Sequence, residues 1–160
     1  MTIGKVWRLI LAALLGTGAG YGTISAQGKS EIELVSKADA IRLFKLTKQQ
    51  WLQEIRAAVS SGQAVATGGD PQIPGMSTTT PEGDILVVRV DYSKDDRKPL
   101  FIQVMVGYRQ HRAKLFTDGN VKDAIVAAQR QMAPEFEVVA NADRIEGGLA
   151  FFIQILEAGR

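Results

Sequence analysis

The hydrophobic period of this chain changes several times, and each change marks an element. Trp51, Leu52, Ile55, Ala58 and Val59 recur at the i, i+1, i+4, i+7, i+8 spacing of an amphipathic helix. Thr47 with Gln50 forms a capping box ahead of that stripe, Leu46 is placed to staple onto Trp51, and Gly62 supplies the stop. A shorter helix is predicted just upstream, where Ser36-Lys37-Ala38-Asp39 offers a hydroxyl N-cap. A ring as large as Trp51 in such a stripe reads as core rather than as a ligand platform.

From residue 85 the period falls to two. Leu86, Val88, Val90 and Tyr92 share one face of a strand, with Ile85, Val87, Arg89 and Asp91 on the other. Ser93 to Lys98 is a charged turn, and Pro99 opens a partner strand. Leu100, Ile102, Val104, Val106 and Tyr108 fall on one side of it, opposed by Phe101, Gln103, Met105, Gly107 and Arg109. These two segments predict a hairpin. A helix follows, with Asn120 as its expected N-cap, Val121, Ala124, Ile125, Ala128 and Met132 as its buried stripe, and Pro134 barring continuation. Phe136, Val138 and Ala140 then alternate as a strand, and a turn is expected from Asn141 to Gly148. Leu149 to Leu156 carry apolar residues on both faces, as an interior strand does. Gln63 to Thr67 supplies one more short strand.

This order predicts an α+β fold: a two-layer sandwich with an antiparallel sheet of four to five strands and helices packed on one face, in the order α-(β)-β-β-α-β-β. The order of elements is similar to that in type III secretion chaperones and related small domains; it is a shared order without a shared motif, and it names no family.

One stretch has no period at all. Residues 68–83 are rich in glycine, proline and threonine and exceed the usual connection of about 4 to 6 residues, so they read as a loop, either a mobile surface segment or a recognition loop. In the second case Ile73, Met76, Ser77 and Thr78 are its candidate contact residues, two of them apolar groups with no evident partner.

The N-terminus carries a different signal. Lys5 and Arg8, the apolar run Leu9 to Leu15 and the small-residue exit Ile24-Ser25-Ala26 have the order of a secretory signal peptide over residues 1–26. The glycines that follow Leu15 make it too weakly apolar for a span of about 20 residues. Gly16, Gly18, Gly20 and Gly22 do not have dinucleotide-loop spacing, because Tyr21 and Thr23 occupy the positions that need glycine. The expected organisation is thus a cleaved signal, a polar leader over 27–33 and a single domain over 34–160, periplasmic or secreted, with no membrane span after cleavage.

Cleavage alters the charge. The chain has 19 Lys+Arg and 17 Asp+Glu, and losing Lys5 and Arg8 leaves 17 of each sign. The basic isoelectric point near 9.0 therefore belongs to the precursor, and no nucleic-acid partner is expected. Cysteine is absent, so no disulfide forms and packing alone must stabilise the fold.

The reagents for catalysis are few. With no cysteine and one histidine, thiol chemistry and Cys/His or di-histidine zinc sites are excluded. No serine sits in a G-x-S-x-G elbow. Asp91, Ser93 and Asp95 have calcium-loop spacing, but Asp96 and Ile102 stand where glycine and glutamate are required. No metal and no cofactor are expected. His111 reads as an exposed loop residue among cations, and Arg109, His111, Arg112 and Lys114 form the one patch with ligand logic, cations ahead of a helix N-terminus suited to an anion or an acidic partner face.

The leading expectation is a non-enzymatic binding or interaction module of the bacterial cell envelope, engaging an envelope protein or an anionic envelope component. A small envelope hydrolase using His111 or a carboxylate pair is the first alternative. The second is a structural subunit of a homodimer, because Ile85, Val87, Phe101 and Met105 are more apolar than a solvent face requires.

Overall fold

The structure is a computed structural model and describes residues 32, 34–79, 83–109 and 113–159. The predicted signal peptide and most of the leader, as well as His111 and Arg112, lie outside the described residues.

Each helix begins where a side chain can accept an orphan backbone N–H. Helix α1 (Lys37–Leu43) starts at Ser36, whose hydroxyl accepts from the Asp39 N–H at 3.1 Å. Helix α2 (Lys48–Ser60) opens with the predicted capping box: the Thr47 hydroxyl accepts from the Gln50 N–H at 3.3 Å, and the Gln50 carboxamide accepts from the Thr47 N–H at 2.9 Å. Gly62, at φ +75°, follows its end. Helix α3 (Asp118–Met132) corrects the expected cap. Thr117, extended at φ −74° and ψ 167°, is the N-cap and accepts from the Asn120 N–H at 3.3 Å. Asn120 sits inside the first turn instead, its side-chain amide donating to the Leu115 carbonyl at 3.0 Å.

The strands form one antiparallel sheet of six, β1 (Val65–Ala66), β2 (Gly75–Thr79), β3 (Ile85–Tyr92), β4 (Pro99–Arg109), β5 (Phe136–Ile145) and β6 (Gly148–Glu157), in the order β1-β2-β3-β4-β6-β5. The α+β class and the β3–β4 hairpin stand as predicted, and β6 is interior, between β4 and β5. The strand count and the element order do not. Two helices and two strands precede the hairpin, and the unforeseen strand is β2, which lies inside the stretch 68–83 read as a loop. Gly-Met-Ser-Thr-Thr has no strand pattern of its own; it is held by β3, with Met76 opposite Val88 and Thr78 opposite Leu86. Strand β5 likewise runs on through the turn expected from Asn141, and the connection to β6 is the tight pair Glu146-Gly147, with Gly147 at φ +71°.

All three described helices lie on one side of this sheet, and the core fills the space between. Leu86, Val88, Val90, Ile102, Val104 and Val106 turn toward it from the central strands. Trp51 is fully buried, as its stripe predicted, and its indole N–H donates to the Pro74 carbonyl at 2.7 Å. Burying such a side chain stabilises the fold by about 1.5–3 kcal/mol or more. Val59, assigned to the same stripe, is exposed. Ile32, within the polar leader, is buried with Leu34 and Val35. At the far end Tyr108 stacks on Phe116 at 5.2 Å, with Phe151 edge-on to both.

Candidate functional site: the uncovered face of the sheet

The second face of the sheet carries no helix among the described residues. Period two in β3 and β4 sends Ile85, Val87, Arg89, Phe101, Gln103 and Met105 outward, and all are half-buried. Pairing sets them in rows. Ser77, Val87, Met105, Phe152 and Asn141 form one row across β2, β3, β4, β6 and β5, and Arg89, Gln103, Gln154 and Val139 form the next. Phe152 on the interior strand β6 is 42% exposed, and Val139 beside it on the edge strand β5 is 61% exposed. Between the rows runs an open groove of about 610 Å³, lined by Val87, Arg89, Gln103, Met105, Phe152 and Gln154 among others.

The groove has polar handles but no reagent. Gln103 and Gln154 are paired across β4 and β6 and carry amide donors and acceptors at its centre. A guanidinium N–H of Arg89 donates to the Gly68 carbonyl at 3.4 Å, while its Nε is buried without a partner. Asp91, two residues along β3, has its carboxyl raised above the ordinary range, by burial first and by the charge of Asp70 second. Among the described residues no group of three or more acidic or histidine side chains is placed to hold a metal ion. The arrangement can bind an apolar surface and orient it by hydrogen bonds; among the described residues its lining holds amide, guanidinium and apolar side chains.

The predicted site residues are separated by the fold. Met76 and Thr78 are buried, turned into the core from β2, so Met76 has a partner after all. Ser77 faces the other way and joins the uncovered face, while Ile73 is half-buried ahead of the strand. Arg109 and Lys114 are exposed. Arg109 closes β4, where its backbone N–H donates at 3.0 Å to the carboxylate of Asp84, itself only 3% exposed. Their companions His111 and Arg112 are not among the described residues.

Two carboxylates do sense one another, on the helical side. Burial raises the Asp39 carboxyl above its ordinary range, against the hydrogen bond from Ser36 and the charge of Arg42, with Glu54 adding to the rise. Yet Glu54 is gripped by Arg42 in a two-pronged pair at 2.7 and 2.8 Å, which clamps α1 to α2. A carboxylate so held is a structural tie rather than an available acid or base. Tyr92 lies in the same region, its phenol raised far above its usual range by burial and then by Glu54, and it donates to the Thr47 carbonyl at 3.4 Å.

Phe152, Val139 and Gln154 were not singled out from sequence. The available signal was the apolar content of both faces of residues 149–156, which marked β6 as interior without saying that one of those faces lacks a helix. No family model, no curated protein and no solved structure matches this chain.

Proposed function

We propose that this chain is an exported, non-enzymatic binding protein of the bacterial cell envelope, and that its docking surface is the uncovered face of the sheet. The observation that carries the binding reading is an apolar strip across the middle strands, Val87, Met105 and Phe152, left open on a face where each neighbouring position could have been polar at no cost to the core. Export is supported by the charge, apolar run and small-residue exit of residues 1–26. Arg109 and Lys114 lie toward one end of the same sheet and serve as a secondary, electrostatic contact for an acidic partner.

A photoreactive phenylalanine analogue placed at position 105 or 152 of the full chain, in the cells that express it, is expected to yield one discrete adduct on illumination, and the same residue at Val126 on α3 none. Equal adducts from all three positions, or none from the sheet positions, overturn the reading. N-terminal sequencing of the exported protein is expected to start at Gln27; a retained Met1 in a membrane pellet overturns the export part.

A further inference from the structure

Resting on the proposal that the uncovered face binds, we infer that its occupant is a second copy of this chain, so that two sheets pack face to face with the helices on the outside. The first argument is area. Five longer strands at about 4.8 Å spacing and about eight residues at about 3.3 Å each make a face of roughly 600 Å². Two such faces bury roughly 1,200 Å², which meets the lower bound of a stable specific interface and clears the level of lattice-type contacts.

Shape and chemistry agree with that occupant. The outward positions at the middle of β4 and β6, Phe101, Gln103, Met105, Phe152 and Gln154, carry no charge; the charged outward positions, Arg89 and Asp91 on β3, Arg109 at the end of β4, and Glu137 and Asp143 on β5, stand around them. An uncharged centre with charges at the rim is the composition of a protein interface. A small ligand in the open groove would keep much of its surface in water, whereas binding sites for such molecules enclose most of it. A flat, twisted sheet is matched by another sheet, packed about 10 Å away at about 30°. A two-fold axis between β4 and β6 lays β3 of one copy across β5 of the other.

Sedimentation equilibrium of the full chain purified from expressing cells tests this. The expected mass is that of a dimer at about 10–100 μM, and Met105→Lys and Phe152→Lys are each expected to weaken association at least about tenfold, a loss of about 1.4 kcal/mol, with unchanged circular dichroism. Because the chain has no cysteine, Gln154→Cys treated with a short bismaleimide gives a second readout that leaves the apolar strip intact: a covalent dimer is expected, and none from Val126→Cys. A monomer throughout the concentration range, or a dimer indifferent to both lysine substitutions and not linked through position 154, overturns the inference. A monomer in solution that still gives a discrete heavier adduct from position 105 in cells overturns the second-copy inference alone and leaves the binding face standing; a monomer with no such adduct removes both.

Discussion

The two faces of the sheet are built from the same strands with the same alternation, yet they differ in what covers them. On the helical side Leu86, Val88, Ile102, Val104 and Ile153 are essentially inaccessible, capped by Trp51, Ile55, Ala124 and Ala128. On the other side Val87, Met105 and Phe152 occupy the intervening positions and remain partly open. Burial on the first side stabilises the chain by itself. The same kind of residue on the second side adds less to the stability of the single chain, and the apolar strip there is what the proposed docking surface rests on.

The contrast is broken or sharpened by substitutions on each side. The largest effect is expected from Trp51→Ala, which removes a fully buried ring and one of the two donors to the Pro74 carbonyl, the Val90 N–H remaining; a loss of about 3–5 kcal/mol in denaturant melts is expected. A loss below about 1 kcal/mol would mean that the helical face is not the one that holds the fold together. Glu54→Gln is next, because it leaves Arg42 with a neutral partner. Since the Arg42 side chain is 36% exposed and can turn to water, a cost of about 1 kcal/mol is expected from the same melts.

The third test uses pH. Burial raises the folded-state affinity of Asp39 for its proton, so the unfolded chain releases that proton first, and stability falls as pH rises from the ordinary value of 3.8 through the raised one. Asp39→Asn removes this dependence. Melts of the two proteins at about pH 3 and pH 7 are expected to show the variant gaining on the wild type at the higher pH, by less than the Glu54 effect; a gain at the lower pH contradicts the assignment. The smallest change is expected on the uncovered face. Val139→Thr, measured at high dilution so that association does not contribute, is expected to stay within about 0.5 kcal/mol of wild type. A loss comparable to that of Trp51→Ala would show that the face is covered within the single chain.

Local physics made much of the helical side legible. A cap needs only a hydroxyl a few residues from the N–H it satisfies, so Ser36 and the Thr47–Gln50 box were readable without any tertiary knowledge. The β3–β4 hairpin was readable for the same reason, since the turn and both alternations lie within 25 residues of sequence, from 85 to 109. The candidate site was legible in fragments: Ile85, Val87, Phe101 and Met105 stood out as too apolar for solvent, while Phe152 and Val139 did not.

Partners distant along the chain decided the rest. Strand β2 exists because β3 presents an edge to it; Met76 and Thr78 then turn inward and Ser77 outward, which separates residues that sequence had grouped as one loop. Thr117 displaced Asn120 as the cap because the chain reaches α3 in an extended conformation at that residue. Above all, alternation says that a strand has two faces but not which elements will lie on each. The amphipathic stripes of the helices determine that one face is buried, and only the packing of all three described helices onto the same side leaves the other open, since one layer of helices covers one side of a sheet.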